Sequence, residues 1–151
     1  HCSEVDVRFP YSKKDPDEIY TVIGFKNDAG GYEVRNSWMK RSTRPKTIRT
    51  IKGEIADEWV VFEGFFDYLS ALMYFGVEQL RMTAVVLNTT AFLGILYPFM
   101  ADNKMNWMYL DRDATGKKKI EEMKAYGIAH TDCSYIYDGY KDFNDMWVTS
   151  N

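Results

Sequence analysis

Acidic residues follow apolar segments of the sequence at a spacing that suits metal-dependent chemistry. Asp111 and Asp113, one residue apart, come directly after the apolar run "WMYL" at 107–110, and Glu63 and Asp67 follow "WVVF" in the same way. Carboxylates that converge without partners repel one another and raise one another's pKa. Mg²⁺ relieves this repulsion because it is a hard cation that binds oxygen ligands, and two such ions can clamp the attacking and leaving oxygens of a phosphoryl transfer.

Three other segments supply further candidate residues. The run "AVVL" is followed by "NTT", which contains Asn88 and Thr89, while "GKKK" contains Lys117 and "YKDFND" contains Asp142 and Asp145. We assign the first three residues to phosphate or nucleotide binding and the two acids to the metal site. Each motif alone also fits a structural role, because Asp and Thr commonly cap helices. Their joint placement after apolar runs favours a functional site.

The elements that must position these residues form an alternating pattern from Glu58 onward. Continuous apolar strands alternate with helices, which predicts a parallel α/β sheet with helices on both faces. In such a sheet ligands bind at the carboxyl ends of the strands, so the acids should share one edge. The predicted strands are 59–62, 84–88 and 107–110, and the predicted helices are 65–76, 90–100 and 116–127.

The N-terminal part of the chain has a different character. Residues 19–25 and 31–35 are rich in β-branched and aromatic side chains and flank the turn sequence "NDAGG", which predicts a hairpin. A short strand is expected at 48–51. We therefore predict two domains, a small basic β-rich subdomain over 1–56 and an α/β domain over 57–151.

The charge is divided between the same two parts. Residues 26–53 contain eight basic and two acidic residues, whereas residues 57–151 contain eight basic and fourteen acidic ones. A basic segment beside an acidic one suits a protein that holds a polyanion and metal ions, although chance clustering gives the same composition. The residues predicted to contact nucleic acid are Lys26, Arg35, Asn36, Lys40, Arg41 and Lys46.

Bulk features limit the cellular setting. The sequence has no apolar run of 18 residues and no signal-peptide pattern at its start, so we expect a cytoplasmic protein without a membrane span. The two cysteines, Cys2 and Cys133, are not required to stabilise a chain with this much apolar content, which favours a reducing compartment. The chain does not begin with Met, so we expect a fragment of a longer protein.

Two families compete for the acidic motifs. The stretch "LDRDAT" fits the Asp-x-Asp-x-Thr pattern of haloacid-dehalogenase-type phosphatases, with Asp111 as nucleophile and Asp113 as acid/base. In that family the pattern opens the core fold. Here the strand before Glu63 and the strand before "NTT" both precede Asp111, so the order of elements disfavours this family.

The order of motifs resembles the Toprim domain instead, the metal-binding fold of bacterial-type DNA primases, type IA and II topoisomerases and some nucleases. Its signature is a strand-ending Glu-Gly-x-x-Asp followed later by a strand-ending Asp-x-Asp. Glu63, Asp67, Asp111 and Asp113 match these positions one by one, and the resemblance spans about residues 58–146.

Within that superfamily the primases are most similar. "DRDATGKKK" is close to the primase form, "KDFND" resembles the late primase segment that carries further metal-binding acids, and "RNS" lies near the position of the family's Leu-Asn-Ser stretch. The usual lysine of that stretch is missing, which leaves the primer–template contacts open. "GGYEVRN" looks like primase-related proteins of mobile elements in Bacteroides-type bacteria. Those proteins often carry an N-terminal zinc-binding module, for which this chain has no paired Cys or His spacing.

The resemblance implies a catalytic core fragment that makes RNA primers on single-stranded DNA from ribonucleoside triphosphates, with Mg²⁺ or Mn²⁺ as cofactor and a replicative helicase as a further partner. Glu63, Asp111 and Asp113 would be catalytic, with Glu63 either an acid/base or a metal ligand. Three alternatives stay open: a Toprim nuclease, a non-catalytic nucleic-acid-binding module of a mobilisation protein, and the phosphatase. The implied metal ligands are Glu63, Asp67, Asp111, Asp113, Asp142 and Asp145.

Overall fold

The computed structural model describes residues 1–8 and 19–151 of the chain. These residues form two compact units, His1–Thr47 and Ile48–Asn151, which we call the N-terminal unit and the C-terminal unit. None of the helices in the described part of the chain combines the length and the hydropathy needed to cross a bilayer. Both cysteines are free thiols.

The N-terminal unit is a four-stranded antiparallel sheet with strand order β1-β2-β3-β4. The predicted hairpin is confirmed, because its two strands pair antiparallel across the turn at 27–31. The sequence pattern predicted neither of the outer strands, which are short or mostly polar. The strands are β1 (Cys2–Arg8), β2 (Ile19–Lys26), β3 (Tyr32–Arg35) and β4 (Lys40–Ser42).

Asn27 holds the hairpin turn together. Its buried side chain accepts hydrogen bonds through Oδ1 from the backbone N–H groups of Ala29 (3.0 Å) and Gly31 (2.9 Å), and its Nδ2 donates to the carbonyl of Pro45 (2.8 Å). Asn side chains stabilise turns in this way by satisfying backbone donors locally. The turn therefore fixes the register of β2 and β3 and also ties down the basic loop that follows β4.

The C-terminal unit is a five-stranded sheet with order β5-β7-β6-β8-β9. Strands β6 to β9 run parallel to their neighbours, and β5 pairs antiparallel with β7. The predicted α/β fold class is confirmed. The strands are β5 (Arg49–Ile51), β6 (Ile55–Phe62), β7 (Met82–Val86), β8 (Met105–Tyr109) and β9 (His130–Asp132).

Four α-helices cover this sheet. The helix predicted at 90–100 begins with a 3₁₀ turn at Thr90–Phe92, and another 3₁₀ turn, Ser134–Tyr137, follows β9. The third helix starts two residues before its predicted beginning, because Asp113 caps it. The fourth was not predicted. The helices are α1 (Phe65–Phe75), α2 (Leu93–Met100), α3 (Ala114–Ala125) and α4 (Phe143–Ser150).

Apolar side chains fill both faces of the larger sheet, as expected for a parallel sheet covered by helices. On one face Val61, Val85 and Met108 pack against α2 and α3 in a single buried cluster. On the other face Phe62 stacks on Tyr109 with ring centroids 5.0 Å apart, and these rings contact aromatic residues of α1 and α4. Because β6 to β9 run parallel, their carboxyl ends share one edge of the sheet, and the loops that lead from β6, β7 and β8 into helices begin there.

The strand predicted at 48–51 belongs to the larger sheet. β5 pairs with β7, so it lies in the C-terminal unit, although the predicted division after residue 56 assigned it to the N-terminal domain. Its pairing partner is more than 30 residues away in the sequence, and local pattern carries no information about it. Whether the functional domains divide after residue 47 or after residue 56 stays a prediction.

Candidate active site

Glu63 and Asp111 meet at the carboxyl ends of two neighbouring parallel strands. Glu63 follows β6 directly, and its backbone N–H donates to the carbonyl of Tyr109, the last residue of β8 (3.3 Å). Its carboxylate Oε2 accepts a hydrogen bond from the backbone N–H of Asp111 (3.2 Å). The predicted convergence of the two acidic motifs on one sheet edge is thus present in the structure.

Both carboxyl groups are less acidic than they would be in water. Burial raises the pKa of Glu63, and the nearby Asp111 carboxylate raises it further. Burial also raises the pKa of Asp111, against the opposing attraction of Lys141. Because desolvation and like charge both disfavour the ionised form, this edge gains from any cation that enters it.

Asp67 is the most deeply buried acid of the set. It occupies the third position of α1, where Oδ2 accepts from the N–H of Gly64 (3.2 Å) and Oδ1 accepts from the N–H of Asn144 at the start of α4 (3.1 Å). Burial, followed by the charge of Asp142, raises the pKa of Asp67 to about 7. Asp67 therefore ties α1 to α4, and its carboxyl keeps its proton to a higher pH than an ordinary aspartate does because its pKa is raised.

Lys141 lies between two of the predicted metal ligands and was not predicted. Its Nζ is 3.3 Å from Oδ2 of Asp111 and 3.3 Å from Oδ2 of Asp142. The attraction of Asp111 raises the pKa of Lys141. The sequence places this lysine directly before Asp142, but only the fold brings it to Asp111.

Two more unpredicted residues fix the loop that carries the Asp-x-Asp motif. The buried Tyr137 donates its hydroxyl hydrogen to the carbonyl of Leu110 (2.7 Å). The backbone N–H of Arg112 donates to the carbonyl of Lys141 (2.8 Å), and its guanidinium donates to the carbonyl of Ser134 (3.1 Å). These bonds join the end of β8 to the segment before α4, so the two acidic segments are held together by backbone contacts.

Asp113 and the two late acids have local structural roles as well. Asp113 caps α3 by accepting from the N–H of Gly116 (2.8 Å), and Asp142 caps α4 by accepting from the N–H of Asp145 (2.7 Å). Asp145 is exposed and accepts from the backbone N–H of Lys141 (3.1 Å). The helix-capping alternative considered for the Asp-x-Asp motif is therefore realised at Asp113, alongside its position near Glu63.

The three predicted phosphate-binding residues are distributed around this edge. Asn88 follows β7 with a left-handed φ of 62°, and the preceding N–H, that of Leu87, donates to the carbonyl of Phe62 (2.9 Å). Thr89 caps the 3₁₀ turn by accepting from the N–H of Ala91 (3.4 Å). Lys117 is exposed and contributes to the lining of a cavity of about 60 Å³ that also contacts Asp111.

The carboxylates of the candidate active site are of the chemical type that binds Mg²⁺, but among the described residues they do not form a group of three or more around one point. Within residues 1–8 and 19–151, no three Asp, Glu, His or Cys side chains lie close enough together to hold a metal ion. The six predicted ligands are thus not assembled into a complete cage. Asp111 and Asp142 nevertheless share a cation already, the ammonium of Lys141, and all the donors are carboxylate oxygens of the kind that Mg²⁺ prefers.

In the N-terminal unit the sheet pleat separates the predicted nucleic-acid contacts. Arg35 pairs opposite Lys40, whereas Arg41 pairs opposite Val34. Because side chains alternate between faces along a strand, Arg35 and Lys40 project from one face and Arg41 from the other. Lys26 pairs opposite Tyr32 and shares the face of Arg41. The charge count of this segment did not reveal that division.

Two of these residues are already engaged within the unit. Arg35 lies 3.9 Å from the carboxylate of Glu33 and donates to the carbonyl of Val34 (3.0 Å). Asn36 accepts hydrogen bonds from the N–H groups of Trp38 (3.1 Å) and Met39 (2.8 Å), which shapes the β3–β4 turn. The remaining predicted contact, Lys46, is exposed in the loop after β4.

Comparison with solved structures places this fold beside that of a primase. The chain matches the crystal structure of the primase fragment of the bacteriophage T7 primase-helicase protein with a TM-score of 0.59 and 18% identity, over 87% of this chain and 58% of that one. It also matches a structure of the T7 lagging-strand DNA polymerase interacting with primase domains of two gp4 subunits bound to an RNA/DNA hybrid and dTTP. That match has a TM-score of 0.57 and 16% identity, and it covers 87% of this chain and 72% of the other.

The chain thus spans a little over half the length of the T7 primase fragment, and at this identity the likeness concerns the fold. No curated protein matches the sequence significantly. Two family models match it: a domain of unknown function (DUF8464) over residues 1–44, and the Toprim-like model over residues 60–147, which is more than half of the chain. The second match contains every acidic residue of the candidate active site, and the chain therefore belongs to the Toprim-like family.

Proposed function

We propose that the chain is the catalytic core fragment of a DNA primase-like protein, which makes RNA primers on single-stranded DNA by metal-dependent nucleotidyl transfer. The observation that carries this proposal is the meeting of Glu63 and Asp111 at one sheet edge, with the ammonium of Lys141 between Asp111 and Asp142. A group of half-buried acids that holds a cation suits chemistry on a triphosphate better than it suits a structural edge.

The chain's own residues divide the work in this proposal. Asp111 and Asp142 would hold Mg²⁺ or Mn²⁺, with Asp113, Asp67 and Asp145 as further predicted ligands. When bound, the metal would bind the triphosphate and neutralise charge that develops as the 3′-hydroxyl attacks the α-phosphate. Glu63 lies within reach of the Asp111 backbone, and its raised pKa suits either proton transfer or metal ligation.

Other residues would bind the substrates. Asn88, Thr89 and Lys117 surround the same edge and would contact the nucleotide. In the N-terminal unit, basic side chains would bind template phosphates, which positions single-stranded DNA without reading its sequence. Ribonucleoside triphosphates and a replicative helicase complete the predicted partners, and the resemblance to primase-related proteins of mobile elements stays a prediction.

A primer-synthesis assay tests this function. The protein is incubated with single-stranded DNA, labelled ribonucleoside triphosphates and Mg²⁺ or Mn²⁺, and short RNA products are resolved on a gel. We expect products from the wild type and at least a 100-fold loss in Asp111→Asn, whereas Asp102→Asn, which changes an exposed turn acid, should retain activity. Equal product from the two variants would refute the assignment of the site.

The same preparations separate the alternatives. A Toprim nuclease would use these acids with water as nucleophile, so it would cleave labelled single-stranded DNA with the same dependence on Asp111 and yield no RNA product. A non-catalytic module would bind DNA and do neither. The match to the Toprim-like family decides against the haloacid-dehalogenase alternative.

A further inference from the structure

The N-terminal unit has an exposed tryptophan, Trp38, that is held in place by contacts of its ring and its backbone. Trp38 is 66% exposed, and its ring meets that of Tyr20 edge-to-face with centroids 5.2 Å apart. Its backbone N–H is held by Asn36 in the turn between β3 and β4. A large aromatic side chain that is exposed yet anchored at both backbone and ring loses little entropy when it binds a ligand.

Two cationic side chains lie on the same face of the sheet as Tyr20, whose ring contacts Trp38. Tyr20 and Lys26 are six residues apart in β2, so they point to the same side and lie about 20 Å apart along the strand. Lys26 pairs opposite Tyr32, with Nζ 6.0 Å from the ring centroid, and Arg41 projects from the edge strand on this side. We call this surface the Trp38 face; its residues are Tyr20, Lys26, Tyr32, Trp38 and Arg41.

We propose that the Trp38 face binds single-stranded DNA by stacking an unpaired base on Trp38 while Lys26 and Arg41 bind phosphates further along the DNA strand. Aromatic platforms beside basic side chains are the usual means of holding single strands without sequence preference, because every base has a π-face. The inference rests on the proposed function for its choice of DNA. It extends that function by giving a role to the segment matched only by a domain of unknown function.

Charge favours DNA over a protein partner at this face. An exposed tryptophan alone would equally suit an apolar protein surface. The Trp38 face, however, presents the cations Lys26 and Arg41, whereas the acidic side chain of β3, Glu33, is buried on the opposite face. A polyanion with exposed rings therefore complements the face better than an apolar or basic protein surface does.

The test compares two oligonucleotides of equal charge. Fluorescence anisotropy measures the binding of labelled dT15 and of an abasic 15-mer, which retains the phosphates and lacks the bases. Trp38→Ala should weaken dT15 binding about tenfold, the effect of one lost stack of about 1.4 kcal/mol, and leave abasic binding unchanged. Tyr126→Ala is the matched control, because Tyr126 is 71% exposed and packs on Tyr97 at 4.9 Å in the C-terminal unit.

A second pair of variants tests the face itself. Arg41→Ala should reduce the slope of log affinity against log salt by about 0.7, whereas Lys124→Ala, which removes an exposed cation from the last turn of α3 in the C-terminal unit, should leave it unchanged. Because neither side chain is buried, both variants should fold. Trp38→Phe, which keeps a ring, should retain most of the dT15 affinity.

The outcomes separate this inference from the proposed function. If Trp38→Ala binds dT15 as tightly as the wild type does, or if the wild type fails to prefer dT15 over the abasic strand, base stacking at Trp38 is refuted. If dT15 binding depends on Trp38 but no RNA product forms, the inference stands and the primase function fails. If RNA products form while Trp38→Ala changes neither binding nor yield, the function stands and the inference fails.

Discussion

The raised pKa of the buried Asp67 carboxyl predicts how the stability of the protein depends on pH. Its pKa rises from an ordinary value of 3.8 to about 7 in the folded protein, mainly because burial disfavours the charge. The folded state therefore holds this proton to a higher pH than the unfolded chain does. By linkage, the free energy of unfolding falls as pH rises from about 4 to about 8. The stabilising contribution of the Asp67 proton is complete below about pH 4 and lost above about pH 8.

The size of the effect follows from the shift. Each pKa unit corresponds to about 1.4 kcal/mol, so a shift of about three units lowers the free energy of unfolding by about 4 kcal/mol between pH 4 and pH 8. The neutral variant Asp67→Asn removes this contribution. Asn can accept from only one of the two N–H groups that Asp67 serves, which adds a constant cost of about 1 to 3 kcal/mol at every pH.

Urea unfolding at several pH values between 4.5 and 8, without divalent cations, measures the slope. Tryptophan fluorescence reports mainly on the C-terminal unit, because Trp59, Trp107 and Trp147 all lie there. We expect a markedly flatter slope in Asp67→Asn than in the wild type, with a residual slope of the same sign from Glu63 and Asp111. The exposed-site control Asp102→Asn should keep the wild-type slope. An unchanged slope in Asp67→Asn would refute the assignment of a shifted proton to this residue.

Two further predictions concern the supports of the site. Lys141→Met should lower the melting temperature of the metal-free protein by a few degrees, which corresponds to a loss of about 1 kcal/mol in the free energy of unfolding given the exposure of the lysine. The same variant should show a larger increase in melting temperature than the wild type when Mg²⁺ is added. An unchanged response to Mg²⁺ would contradict this prediction. Gly116→Ala should destabilise by about 2 kcal/mol or more, because its Cβ would lie 2.1 Å from the carbonyl oxygen of Asp111. Gly94→Ala, whose Cβ meets nothing within 4 Å, should be neutral or stabilising in thermal melts, and equal losses in the two glycine variants would be evidence against the steric argument.

The sheet edge was predictable because it depends on one strong rule. Apolar runs followed by acids indicate parallel strands, and the carboxyl ends of parallel strands gather their loops on one side. Glu63 and Asp111 accordingly meet although they are 48 residues apart. The cation beside them was not predictable in this way. Lys141 reaches Asp111 only through a helix start whose position is set by Tyr137 and Arg112, and such long-range contacts leave no periodic signal in a single sequence.

The basic segment shows a different limit of sequence reasoning. Its net charge correctly marks it as unusual, but charge counts carry no direction. Once β4 is known to pair with β3, the neighbours Lys40 and Arg41 must lie on opposite faces. β4 is only three residues long and polar, so its sequence shows no hydrophobic alternation that would predict a strand. Pairing therefore decides which cations can act together, and local composition does not.

The candidate active site contains two separate compensations for its own negative charge. Lys141 offsets the charges of Asp111 and Asp142, and Asp67, with its pKa of about 7, reduces its own charge by holding a proton. The second compensation has a cost, because a buried acid that must stay protonated contributes less to stability as pH rises. Apolar side chains at the same positions would avoid that cost. Local features that oppose stability are expected at functional sites. A divalent cation that binds carboxylate oxygens would replace the lysine charge and allow Asp67 to ionise, so the same arrangement that weakens the metal-free fold favours binding of the metal.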